Sequence, residues 1–194
     1  MTGPSNLRKF SLIPFRGEED RPDLAITGQV ARQAGLLSVR CAILGKLSEL
    51  AIPTPEETPG RKDALWKGTC LELFIGAMGD EAYWEFNLSP GGDWNIYRFT
   101  TYRAGMREET AVSSLPFEVR TDSDALHLSL SLDLAAMLPP GQAIDVGVCA
   151  VLRSTAGGMS HWALAHHGPR PDFHRREGFA LAFPADRSAR NIFP

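Results

Sequence analysis

Strict alternation of apolar and polar side chains dominates this chain, most clearly where Leu126, Leu128, Leu130 and Leu132 interleave with His127, Ser129, Ser131 and Asp133. A period of two sends successive side chains to opposite faces of a strand, so one face is buried here and the other is wetter. The same period runs through Leu37-Val39-Cys41-Ile43, Leu71-Leu73-Ile75 and Ile144-Val146-Val148-Ala150. Further strands are expected at Lys9 to Pro14, Ile26 to Arg32, Ala82 to Ser89, Asp93 to Tyr102, Phe117 to Thr121, Ser160 to Ala165 and Gly178 to Phe183. Turn residues separate nearly all of them: Gly35, Gly45, Met78-Gly79-Asp80, Pro90-Gly91-Gly92-Asp93, Pro139-Pro140-Gly141 and Ala156-Gly157-Gly158.

Many short strands with turn signals between them predict an all-β, antiparallel β-sandwich of jelly-roll-like type. One or two short helices are expected, around Lys62 to Leu65 and Asp133 to Met137, the second stopped before Pro139 because proline cannot continue a helix. Pro53, Pro55 and Pro59 stiffen a polar loop over 52–61. With no internal repeat, the 194 residues read as one domain, core at about 7–184 and tail at 185–194.

Composition alters this picture mainly by exclusion. At 43% hydrophobic and 22% charged, the chain has the make-up of an ordinary globular protein, without an apolar run of the ~20 residues that span a bilayer. A net charge of -3 and a pI near 6.0 argue against nucleic acid and membranes as partners. The first residues carry no apolar stretch after their basic pair, so no secretory signal is expected and the location predicted is cytoplasmic. Cys41, Cys70 and Cys149 are odd in number and widely spaced, which suits reduced core residues rather than a disulfide framework.

Candidate chemistry concentrates in Trp66 to Phe99. Glu72 shares a strand face with Cys70 and Phe74, while Tyr83, Glu85 and Asn87 share one side of the next strand. After the Pro90-Gly91-Gly92 turn, Trp94, Ile96 and Arg98 alternate with Asn95, Tyr97 and Phe99. A glutamate within an apolar strand is costly unless paired, so Arg98 is its expected partner, either as a structural pair or as a clamp for a polar ring.

The run Leu65-Trp66 into Thr69-Cys70-Leu71-Glu72-Leu73-Phe74-Ile75, followed by Tyr83-Trp84-Glu85-Phe86-Asn87 and Pro90-Gly91-Gly92-Asp93-Trp94, resembles the family 9 carbohydrate-binding modules and the wider DOMON-like group. The likeness extends over about 25–183 and is strongest at Trp66 to Phe99 and His161 to Phe179. It implies a β-sandwich whose sugar lies between two tryptophans. Trp66 would be one platform and Trp162 the other, with Glu72 as acceptor and Arg98 as donor. Asn87, Trp94, His161 and His166 complete the candidate ligand-binding set. The family's calcium does not carry over, because no DxDxDG-like cluster is present.

Three alternatives stay open. His161, His166, His174 and Asp172 would form a metal site if the Gly168-Pro169 turn folded back, which would suit a metal-dependent enzyme. Met159 and His161 would serve haem, as in some DOMON-like domains. Glu72 and Glu85 could be imagined as a glycosidase pair. The chain has no GxSxG, P-loop or GxGxxG motif, so the leading expectation is a non-catalytic module for a small polar or carbohydrate ligand that needs no cofactor.

Overall fold

The computed structural model describes residues 6–18, 21–33 and 35–185. Its strands are β1 (Asn6–Pro14), β2 (Leu24–Gln33), β3 (Leu36–Gly45), β4 (Cys70–Ala77), β5 (Tyr83–Leu88) and β6 (Trp94–Phe99). They continue as β7 (Arg107–Glu108), β8 (Phe117–Thr121), β9 (Ala125–Asp133), β10 (Ile144–Arg153), β11 (Met159–Ala163) and β12 (Leu181–Phe183). All pair antiparallel along the path β7-β6-β5-β4-β10-β11-β1-β2-β3-β9-β8, with β12 on β10.

That path curls into a sandwich because β1 belongs to both halves. Its residues up to Leu12 pair with β2, whereas Ile13 and Pro14 pair with Ala163 and Trp162 of β11. The first sheet is therefore β8-β9-β3-β2-β1 and the second β7-β6-β5-β4-β10-β11 with β12. Their inner faces meet in one apolar core: Leu126, Leu128, Leu130 and Leu132 with Leu37 and Val39 from the first, against Leu73, Ile75, Phe86, Ile96, Val146 and Val148 from the second. This is the alternation expected of a half-buried strand.

The helices are single 3-10 turns. One lies at Leu65–Lys67, slightly later than Lys62 to Leu65, and another at Leu134–Ala136, where the Asp133 carboxylate accepts from the Ala135 amide. Strand β6 stops at Phe99 rather than reaching Tyr102, because the chain turns back over Thr100 to Gly105 through Arg103 (φ 52°) and Gly105 (φ 65°). The last strand begins at Leu181 rather than Gly178, with a 3-10 turn at Arg176–Gly178 before it. Most of the expected tail, 186–194, lies outside the described residues. Among the described residues no helix is long and apolar enough to cross a membrane.

Candidate ligand-binding site

Strand β4 is buried along its whole length, on both faces. Its inward side chains enter the core, but its outward ones, Cys70, Glu72 and Phe74, are covered as well. Register places Glu72 beside Asn87 and Asn95 on one flank and Cys149 on the other, and the next outward row is Phe74, Glu85 and Tyr97. A second small core of Phe74, Tyr83, Tyr97, Phe99, Cys149, Ala163 and Phe179 thus forms outside the second sheet.

The cover comes from the segment between β11 and β12 and from the 100–105 hairpin. Asp172 joins them: its Oδ1 accepts from Arg103 Nε at 3.2 Å and Nη2 at 2.9 Å, and its Oδ2 accepts from the Tyr102 hydroxyl at 2.5 Å. Burial opposes ionisation of this carboxyl, but these hydrogen bonds hold its pKa below the ordinary value. Farther along, the Arg176 guanidinium lies directly over Gly76, where an added Cβ would sit 1.1 Å from Nη1. Only glycine admits that approach.

Between cover and sheet is a cavity of about 360 Å³ lined by Trp66, Glu72, Glu85, Phe99, Arg103 and Met106, with Val151, His161, Pro171, Phe173 and His174. Trp66 stands on its 3-10 turn, with its ring edge-to-face against Tyr97 at 5.7 Å. The Tyr97 hydroxyl donates to Asp63 at 2.5 Å, tying that turn to β6. Ala64, just before the turn, is left-handed (φ 58°).

Two carboxylates lie at the bottom. Glu72 is 4% exposed and makes no hydrogen bond or ion pair among the described residues; burial, then Glu85, pushes its pKa well up. Glu85 is also raised, chiefly by burial, although its Oε1 accepts from Asn87 Nδ2 at 2.8 Å. Its Oε2 is 3.8 Å from His174 Nε2. Burial lowers His174 to about 4, so this contact is not an ion pair at neutral pH. Tyr83, raised to about 12 by burial, accepts from the Arg103 amide at 3.2 Å, and its hydroxyl is hydrogen-bonded to His174 Nδ1 at 2.8 Å.

A larger concavity, about 910 Å³, lies over the outer face of the first sheet, but Lys9, Arg40, Glu118, Arg120 and His127 line it as a solvated surface without a buried acid pair. The smaller cavity is the one lined by two buried carboxyls.

No family model and no curated protein matches the sequence. Solved structures do share the fold. A candidate carbohydrate-binding protein from Bacteroides uniformis aligns over 89% of this chain and 83% of its own, with a TM-score of 0.63 at 11% identity. A family 9 carbohydrate-binding module from Caldicellulosiruptor kristjanssonii, in complex with cellotriose, aligns over 82% and 73%, with a TM-score of 0.50 at 10% identity. The fold resembles that of family 9 carbohydrate-binding modules. At such identity the likeness concerns architecture alone.

Of the candidate residues, Trp66, Glu72 and His161 line the cavity, and Asn87, fully buried, braces Glu85 beneath it. The others are elsewhere. Trp94 and Trp162 face inward, buried in the main core, with the Arg61 guanidinium 4.3 Å over the Trp94 ring and Trp162 Nε1 donating to Ser160. Arg98 also points to that inner side, over Trp84 at 5.2 Å, so the expected Glu72–Arg98 pair does not form. His166 contacts the Ile13 carbonyl at 3.0 Å and the Phe15 ring.

The histidines do not converge. His161 contacts Glu18 at 2.7 Å, His166 goes to β1, and His174 goes to Tyr83; among the described residues no three His, Cys, Asp or Glu side chains are grouped to hold a metal. Met159 and His161, two apart on β11, point the same way and cannot take opposite sides of one haem. Residues not singled out for binding include Arg103, Phe99, Met106 and Phe173. The alternation of β6 could have signalled Phe99, but Arg103 and Phe173 arrive on irregular segments that carry no periodicity.

Proposed function

We propose that this protein is a non-catalytic binding module whose ligand is a small polar ring, a monosaccharide or the end unit of a larger sugar, seated in the cavity between the second sheet and its cover. The observation that carries the reading is an unpartnered, buried carboxylate, Glu72, lining the same cavity as the half-buried indole of Trp66. An apolar ring face suits the indole and a hydroxyl suits the acid, since carbohydrate rings have both surfaces. At about 360 Å³ the space lies near the lower end of the ~300–1,000 Å³ common for ligand pockets, which fits one ring better than a chain. Phe173, not Trp162, supplies the second aromatic wall in this reading. The similarity in fold to carbohydrate-binding modules supports it as analogy.

Tryptophan emission and melting temperature, titrated with a panel of mono- and disaccharides, test the assignment. At least one sugar is expected to shift both, Trp66→Ala to weaken that response ~10-fold or more, and aryl glycosides to remain unhydrolysed. A panel without any response, or a Trp66→Ala variant that responds like the parent, removes the reading.

A further inference from the structure

We propose that the cavity selects a ring bearing a protonated amine, such as a hexosamine with a free amino group, whose ammonium sits against Glu72 and Glu85. The proposal rests on the sugar-site reading above and names the class of sugar.

Two acids share one outward face of the second sheet and line one cavity, and Glu72 is left without a hydrogen-bond partner among the described residues. Charged groups do not stay buried at no cost, so compensation must come from a nearby cation or from a retained proton. The cations around the pair are already committed. Arg103 lies at the rim, half-exposed, with two donors on Asp172 Oδ1; its charge lowers the pKa of both glutamates but burial outweighs it, and Arg175 Nε is directed at Asp172 from 3.4 Å. His174 is neutral, and His161 is held by Glu18.

The remaining titratable neighbours add no positive charge. Cys70 on β4, Cys149 on β10, and Tyr97 and Tyr83 on β6 and β5 are all pushed by burial toward their neutral forms. The protein thus leaves the acid pair to hold a proton. An ammonium would supply the missing charge within a cavity whose walls include Trp66, Phe99 and Phe173, and aromatic faces attract cations through the ring quadrupole. A neutral hydroxyl can donate to either acid but cannot balance two charges.

The proton balance follows. In this proposal the free pair shares one proton and carries one negative charge; the ammonium enters with its three protons intact; both carboxylates end ionised around it, and the displaced proton goes to solvent. Amine binding therefore releases up to one proton, whereas binding of the matching neutral sugar releases none.

Calorimetric titration of the full chain with glucosamine, galactosamine and mannosamine, each beside its N-acetyl derivative and parent hexose, tests this at about pH 6, where sugar amines are protonated. At least one free amine is expected to bind ~10-fold or more tightly than both neutral counterparts. Its heat should differ between two buffers of unlike ionisation enthalpy in the direction of proton release. In Glu72→Gln the preference should drop to about two-fold or less and the buffer dependence should vanish, while Glu85→Gln provides the same test independently. A neutral sugar that binds as tightly as its amine overturns the proposal and leaves the sugar site standing. An amine preference that survives in both variants, or wild-type binding without proton release, also overturns it. No binding by any member of the panel overturns the proposal together with the sugar-site reading.

Discussion

The two sheets follow the same alternation but use their outer faces differently. On the first, the outward residues Lys9, Thr27, Arg40, Glu118, His127 and Ser129 form an open polar surface, the ordinary condition of a sandwich. On the second, the outward rows of β4, β5 and β6 are aromatic, acidic and amide side chains, nearly all buried under loops. Only the second sheet therefore has to satisfy polar groups on both sides, and Glu72 is where it does not. The largest expected effect tests that contrast. Phe74, fully buried in the outer cluster against Tyr83, His174 and Phe179, should cost ~3–5 kcal/mol when truncated to Ala. Ser129→Ala on the other outer face should stay within ~0.5 kcal/mol. Urea denaturation of both variants reads the difference, and equal losses would show the outer cluster to be as dispensable as the open face.

The unpartnered acid sharpens the comparison at an intermediate size. Raised carboxyls stabilise the fold below their ordinary range, and that contribution is lost as pH rises through the folded-state value, because the unfolded chain gives up its proton first. His174 acts in the opposite direction. With its folded value near 4 against an ordinary 6.5, stability falls as pH drops from about 6.5 toward 4, where the unfolded chain takes up the proton alone. The two losses therefore oppose each other between about pH 4.5 and 6.5, and only the carboxyl loss, the alkaline limb, continues above that range. Glu72→Gln removes its share of the alkaline limb, so its Tm should exceed the parent's by ~2–4 °C, equivalent to roughly 1 kcal/mol, at pH above neutral, and the gap should close at acid pH. A constant gap across pH would mean that Glu72 does not titrate as its burial requires.

The sequence made the strands legible because a period of two marks the face that enters the core, and the same period separated Tyr83, Glu85 and Asn87 from Trp84, Phe86 and Leu88. It could not say which side of β6 joins Glu72. Arg98 and Trp94 share one face of β6, Asn95 and Tyr97 the other, and a register shift of one residue would exchange them. The turn at 89–93, in which the Ser89 amide donates to the Asp93 carbonyl and the Gly92 amide to Ser89, sets Leu88 opposite Trp94 and Asn87 opposite Asn95. That register puts Asn95 beside Glu72 and turns Arg98 to the other face. Tryptophans attract attention as sugar platforms, but Trp94 and Trp162 occupy inward positions where large apolar side chains fill the core. The Arg103–Asp172 bridge was illegible for a different reason. Sixty-nine residues separate its partners, and both lie on irregular segments whose paths depend on the whole fold.

Backbone strain gives the finest form of the comparison. Among the described residues, the left-handed non-glycine residues are Ala64 and Arg103, and both adjoin the covered face of the second sheet. Ala64 precedes the turn bearing Trp66, and Arg103 carries the bridge to Asp172. A left-handed alanine costs ~1–2 kcal/mol, which glycine avoids, whereas glycine adds ~0.5–1 kcal/mol of entropy loss on folding. Ala64→Gly should therefore raise stability slightly, by ~0.5 kcal/mol or a Tm shift of ~1–2 °C. Any sugar that binds should lose affinity by about two-fold, because the glycine lets the Trp66 turn sample other conformations. Denaturation midpoint and fluorescence titration on the same sample separate the two effects. A loss of stability would mean that the Ala64 methyl contributes packing that outweighs its strain; a gain without change in affinity would mean that β4 and Tyr97 alone hold Trp66 in place.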